Sequence, residues 1–243
     1  MNRADLHMHT NLGDGWISPA RVVREAERAG LSVIAVTDHD HLEGAKRVEE
    51  QIVARQSPVR LIKGVEVSTR NGHLIGLFVN RAPKPMRPVQ ESIDAIKEQG
   101  GLVVVAHPMG RLVPSLSRRK IDELLGGGYQ IDGLEIYNPS PANASRRAEV
   151  AAANRDWGLA EIGSSDAHFW QHIGAGYTLF EGDLRTAITA RETQAGGQEK
   201  PPVRLNPASY VAQCAWSWFV DPPRRLIRRL GPPTTERARN AGT

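Results

Sequence analysis

The chain has 243 residues, of which 40% are hydrophobic and 24% charged, with 16 prolines and 23 glycines. That suffices for one full-sized domain with a buried core, is short for two enzyme domains, and excludes a disordered, collagen-like or coiled-coil chain. The net charge of +4 is uneven: residues 200–243 carry +6 and residues 1–199 carry −2, so the basic balance belongs to a C-terminal extension and says little about the ligand of the main domain.

In chain order, β-branched and apolar runs predict strands over Ala4–His7, Ser32–Thr37, Arg60–Val67, His73–Val79, Leu102–Ala106, Gly133–Tyr137, Leu159–Gly163 and Tyr177–Phe180. Runs such as SVIAV and LVVVA suit strands buried on both faces of a parallel sheet. Helical patterns lie between them over about 18–29, 42–55, 88–99, 117–125, 143–157 and 183–191. Ser18-Pro19 reads as an N-cap followed by a first-turn proline, and Gly30 as the stop. This alternation predicts an α/β barrel or a doubly wound sheet. Composition changes near 196–207, so residues 1–199 read as the domain and residues 200–243 as a basic, partly helical extension with a disordered end.

Two features predict a cytoplasmic setting. The opening Met1–His7 has no apolar run of a secretory leader, and a lone Cys214 permits no internal disulfide. The longest strongly apolar stretch, Tyr210–Val220, falls short of the roughly 18 residues that span a membrane. Its aromatics and Arg224, Arg225, Arg228 and Arg229 are read as an extra helix covering the domain, in preference to a membrane-surface hook.

Chemistry concentrates after the strands. His7 and His9 form an H-x-H pair leaving the first strand, and residues two apart on an extended chain point the same way. Asp14 follows in a glycine-rich loop. Thr37-Asp38-His39-Asp40-His41 follows the second strand, and Gly64-Val65-Glu66-Val67-Ser68 closes the third. His73 opens the next strand, Ala106-His107-Pro108 follows a later one, and Ser165-Asp166-Ala167-His168 follows another. In α/β barrels such strand ends converge on one mouth. Nitrogen and carboxylate donors without thiolates suit manganese, zinc or iron, and so many donors imply more than one ion.

These motifs, in this order from Asp5 to about Phe180, resemble the PHP (polymerase and histidinol phosphatase) family. The resemblance implies a distorted seven-stranded (β/α) barrel, of α/β class, holding up to three divalent ions that hydrolyse phosphate esters with a bridging hydroxide. It implies a first ion on His7, His9, Glu66 and Asp166, a second on Glu66, His73 and His107, and a third on Asp14, His39 and His168. Asp40, Glu66 and Asp166 are then the candidate catalytic residues, with Asp40 able to protonate the leaving group. Arg111, in A-H-P-M-G-R, is the candidate phosphate clamp, because guanidinium binds phosphate bidentately. His41 is a further candidate substrate contact. Asp38 and Asp40 are expected to orient imidazoles, and Glu135 to support the cluster. Arg146 and Arg147 are read as solvated helix faces.

The substrate expected is a small phosphorylated metabolite or nucleotide. Nuclease action on short oligonucleotides is the alternative within the same chemistry, and a non-catalytic metal-binding module the alternative outside it. The near-neutral main domain and the lack of an evident aromatic stacking platform argue against long nucleic-acid tracts. Contact of the basic tail with membrane is disfavoured.

Overall fold

The computed structural model describes residues 1–140, 143, 145–198 and 207–221. Nine strands form its sheet: β1 (Asn2–Asp5), β2 (Val33–Val36), β3 (Arg60–Thr69), β4 (Gly72–Leu77), β5 (Leu102–Val105), β6 (Gly133–Tyr137), β7 (Ala160–Gly163), β8 (Gly176–Phe180) and β9 (Gln194–Gly197). Their order is β7-β6-β5-β4-β3-β2-β1-β8-β9. The Gly163 N–H donates to Thr178 Oγ1 (3.1 Å) and the Thr178 hydroxyl donates back to the Gly163 carbonyl (2.8 Å). These bonds tie β7, at one edge of the sheet, to β8, which lies next to the other edge, so that the sheet nearly closes into a barrel.

Strand residues alternate between two cores, which is why they read as unbroken apolar runs. Val33, Ala35, Leu102 and Val104 share the interior with Ala4, Ile62, Ile75 and Ile162. Ile34 and Val36 face outward against Val22, Val23 and Ala26 of α1 (Pro19–Arg28) and Val48 of α2 (Glu43–Arg55). Val103 and Val105 face Ile93 and Ile96 of α3 (Val89–Lys97) and Ile121 and Leu124 of α4 (Arg118–Gly126). Each fully buried Val, Leu or Ile among them contributes roughly 1.5–3 kcal/mol. The outer layer is completed by α5 (Arg147–Trp157) and α6 (Leu184–Ala190).

Helix ends follow local chemistry. Ser117 accepts the Lys120 N–H and Asp183 accepts the Thr186 N–H, as N-caps should. Ser18 has the extended backbone of an N-cap but makes no side-chain cap bond, so Pro19 alone marks the start of α1. Among the described residues α5 runs from Arg147 to Trp157, with Asn143 also helical ahead of it.

The sheet has nine strands where seven were expected, and β4 and β8 run against the others. β4 pairs antiparallel with both β3 and β5, because only Arg70 and Asn71 separate it from β3 and no parallel crossover fits that length. β9 is an added antiparallel edge on β8. Its sequence, Gln194-Ala195-Gly196-Gly197, has no strand signal, and the glycines serve packing: a Cβ on Gly197 would lie 2.0 Å from Tyr137 Cε1.

The chain divides into residues 1–204 and residues 205–243. In the second unit, helix α7 (Pro207–Ala215) leads into a π-helical turn, Trp216–Val220. Arg224, Arg225, Arg228, Arg229 and the expected disordered end lie outside the described residues, as does the expected boundary at 199–200. Among the described residues no helix is long and apolar enough to cross a membrane.

Candidate metal centre

β1, β2, β3, β5, β6 and β7 all run the same way, so their C-terminal ends share one rim. The loops there are stitched together by backbone: the His9 N–H donates to the Ala167 carbonyl (2.9 Å), Thr37 N–H to Met8 carbonyl (3.0 Å), and Asp40 N–H to Glu66 carbonyl (2.9 Å). His73 joins the same rim because β4 is antiparallel and starts opposite the end of β3, with His73 paired to Ser68.

All nine expected ligand residues meet here. Glu66 is the hub. Its Oε2 lies 3.2 Å from both His7 Nε2 and His9 Nε2 and 3.4 Å from His39 Nε2. Its Oε1 lies 2.8 Å from His73 Nδ1 and 2.9 Å from His107 Nε2. Asp166 Oδ1 is 3.4 Å from the Nε2 atoms of His7 and His9. Asp14 Oδ2 is 3.2 Å from His168 Nε2 and 3.9 Å from His39 Nε2, while Asp14 Oδ1 is 3.3 Å from His9 Nδ1. Among the described residues four triads have ligand atoms within 4.8 Å of one another: His7/His9/Asp166, His9/Asp14/His168, His9/His39/Glu66 and Glu66/His73/His107.

The donor set fits divalent cations. Two imidazole nitrogens, His7 Nε2 and His9 Nε2, face each other at 3.1 Å, a contact that a shared cation accounts for. Burial opposes charge on His7 and His9, yet the neighbouring carboxylates (Asp166, Glu135 and Glu66 for His7, Asp14 first for His9) hold both well above the ordinary imidazole pKa. His107 is raised against burial by Glu66. His39 is pushed well below its usual value by burial, with His73 and His9 adding to the effect. Glu66, Asp14, Asp166 and Glu135 stay below the usual carboxylate range despite burial, because imidazoles surround them. Three buried carboxylates and the partly buried Asp166 thus call for positive charge at one spot.

A supporting layer holds these ligands. Glu135 is fully buried and accepts only donors: His7 Nδ1 (2.8 Å), the Ser164 hydroxyl, the His107 N–H (2.5 Å) and Asn138 Nδ2 (3.1 Å). The register of β6 on β7 shifts between Glu135 and Tyr137, a bulge at the rim. Ser115 Oγ sits 3.1 Å from His107 Nδ1. Asp5 accepts the Ser165 and Gly174 N–H groups and, fully buried, has its pKa pushed up to about 6 by desolvation. Asp40, His107 and Asp166 hold φ values of 61°, 28° and 50°, left-handed backbone stored at the site.

The expectations for Asp38 and Arg147 change, and the structure gives the other expected residues partners or positions of their own. Asp38 orients no imidazole: its two oxygens accept the N–H and hydroxyl of Thr10 (2.7 Å each), pinning the chain after His9, and burial raises its pKa to about 6. Asp40 Oδ1 accepts the Ser68 N–H (2.8 Å). His41 Nδ1 accepts the Glu43 N–H (3.3 Å) at the start of α2. Arg111 is exposed on the loop after His107, beside the rim. Arg147 is no solvated helix residue: its guanidinium lies 3.9 Å from the Tyr137 ring centroid and donates to the Asn138 carbonyl. Sequence reading also passed over Asp5, Ser115, Asn138 and Ser164. Asn138 and Ser164 adjoin motifs already noted, whereas Ser115 carries no signal at all.

Residues 5–166 match the profile of the PHP domain, and residues 143–193 match a PHP-associated profile. An uncharacterised protein of Methanocaldococcus jannaschii is 34% identical over 148 residues, which is 56% of this chain and 81% of that protein. A 5'-3' exoribonuclease of Haemophilus influenzae is 35% identical over 204 residues, covering 79% of this chain and 65% of that protein. A 3',5'-nucleoside bisphosphate phosphatase of Chromobacterium violaceum is 31% identical over 97 residues, 38% of this chain and 33% of that protein. In fold, a two-domain protein of Bacteroides vulgatus containing a predicted PHP-like metal-dependent phosphoesterase superposes with a TM-score of 0.66 at 23% identity, covering 82% of this chain and 65% of that one. The chain therefore spans just under two thirds of the exoribonuclease and of the two-domain protein.

Proposed function

This chain belongs to the PHP-domain family of metal-dependent phosphoesterases, and from that premise we propose that it hydrolyses phosphate esters of a small metabolite or nucleotide with up to three divalent ions. The observation that carries this reading is the division of Glu66: one oxygen faces His7, His9 and His39, the other His73 and His107. His7, His9, Glu66 and Asp166 would hold one ion, Glu66, His73 and His107 a second, and Asp14, His39 and His168 a third. Manganese, zinc and iron all suit these donors.

Divalent ions at such a site supply Lewis acidity and an activated water near neutral pH. The chain's own residues do the rest. Glu135 holds His7 and His107 in position, and Asp5 holds the loop that carries Asp166. Arg111, on the loop after His107, would bind the phosphate, and His41 would contact substrate from the start of α2. Asp40, anchored through one oxygen, would pass a proton to the leaving group.

A second reading, removal of nucleotides from short oligonucleotides, is favoured by the likeness to the exoribonuclease over 79% of this chain. One experiment addresses both: phosphomonoesters, nucleotides and short oligonucleotides assayed with Mn²⁺ and after chelation. Chelator-sensitive release of phosphate from monoesters supports the first reading, and release of mononucleotides supports the second. Metal uptake with no hydrolysis of any substrate would leave a non-catalytic module.

A further inference from the structure

Trp16 stands apart from the residues around it. Gly13, Asp14, Gly15 and Ile17 are buried, but the Trp16 side chain is 47% exposed. Backbone bonds tie the segment down. The Gly13 N–H donates to the Thr10 carbonyl (3.1 Å), Asn11 N–H to Ile17 carbonyl (2.9 Å) and Trp16 N–H to His168 carbonyl (2.8 Å). A Cβ on Gly15 would lie 2.4 Å from the His9 carbonyl oxygen, so the backbone is pressed against a ligand residue. The indole itself meets buried Phe169 edge-on, with ring centroids 5.5 Å apart at 60°. Trp16 and Phe169 lie at opposite ends of the domain in sequence, so no aromatic cluster was legible there.

The placement is informative. Trp16 is two residues from Asp14 and is bonded through its backbone to His168, both members of one ligand group. A phosphate ester bound by this group would bring its organic part toward the loop that carries the indole. A bare pentose has no π-face to stack with the indole. A nucleobase offers a π-face, and stacking of bases on aromatic side chains tolerates any base identity. The domain carries −2 over residues 1–199, which suits a mononucleotide or a chain end more than a long tract.

We propose that Trp16 is a stacking platform for the nucleobase, so that the substrates of this site are nucleotides or nucleotide termini and not base-free sugar phosphates. This rests on the phosphoester reading above, and the test separates the two. Adenosine 5'-monophosphate and ribose 5-phosphate are titrated calorimetrically into the Mn²⁺-loaded wild type, Trp16→Ala and Trp16→Phe, and hydrolysis of both compounds is followed in parallel. The quantity read is the ratio of the two affinities. Wild type should favour the nucleotide, Trp16→Ala should shrink that preference by roughly 5- to 150-fold, and Trp16→Phe should recover much of it. Equal weakening of both compounds, or an unchanged ratio, would overturn the proposal. A change in sedimentation with an unchanged ratio would overturn it too, by assigning the indole to self-association. If neither compound is hydrolysed, the catalytic reading suffers, but the affinity ratio still decides the role of Trp16.

Discussion

Glu135 accepts the backbone N–H of His107 at 2.5 Å, at a residue whose φ of 28° is left-handed. One carboxylate oxygen thereby stabilises strained backbone while the other accepts His7 Nδ1 and the Ser164 hydroxyl. All four groups around Glu135 are donors, so an amide in its place must turn its NH₂ toward two of them. Glu135→Gln should fold but let His7 and His107 drift. Loss of such outer support typically weakens metal affinity about 10- to 100-fold. Activity measured against Mn²⁺ concentration should therefore shift to higher metal and recover in excess. A variant with the metal dependence of wild type would remove Glu135 from this role.

Glu66→Gln tests the hub. Gln keeps the size of the side chain but removes the charge shared between His7, His9 and His39 on one side and His73 and His107 on the other. Turnover should fall by about 10²-fold or more, the scale for losing one preorganised electrostatic group. Elemental analysis should show fewer bound ions per chain than in wild type. Full activity with full metal content would place Glu66 outside the reaction.

The parts of this site that were legible in the sequence are those whose ligands sit in short motifs on extended chain. His7 and His9 share a face because they are two apart, and His107, Asp166 and His168 follow strands that end at one rim. What was not legible depends on long-range pairing. Asp38 looked like a partner for imidazole, but folding brings Thr10 to both of its oxygens. Glu135 meets His7 and Ser164 only after the sheet curls, and Ser115 reaches His107 through a loop without a motif. β9 escaped notice because glycines chosen for close approach to Tyr137 and Tyr177 erase the apolar signal of a strand.

Metal uptake should release protons. Neighbouring carboxylates hold His7 and His9 well above the ordinary imidazole pKa and raise His107, so in protein stripped with a chelator the cluster as a whole retains protons near neutral pH. An arriving cation must displace them, so affinity rises with pH until those raised pKa values are passed. His39, held well below 6.5, contributes no proton. Calorimetric titration of Mn²⁺ in two buffers of different ionisation enthalpy should reveal net proton release near neutral pH. Affinity that does not change between about pH 6 and pH 8 would contradict these directions.

Gly44, in the first turn of α2, tests the Asp38–Thr10 anchor through packing alone. A Cβ there would lie 1.8 Å from Asp38 Oδ2 and 2.6 Å from Thr10 Oγ1, atoms that already bond each other at 2.7 Å. Asp38 cannot retreat without giving up the Thr10 N–H, because its other oxygen accepts that group at 2.7 Å. Gly44→Ala should therefore destabilise by roughly 1–3 kcal/mol, the usual cost of overpacking. It should also loosen the chain between His9 and Asp14. Gly126 is the control: it ends α4, and a Cβ there meets nothing within 4 Å. Gly126→Ala should be neutral or stabilising by about 0.4–1 kcal/mol, through the narrower unfolded ensemble. Urea unfolding of both variants reads the two signs directly. Equal stabilities would mean that α2 can shift away from the rim, and that the Asp38–Thr10 pair does not fix the position of His9.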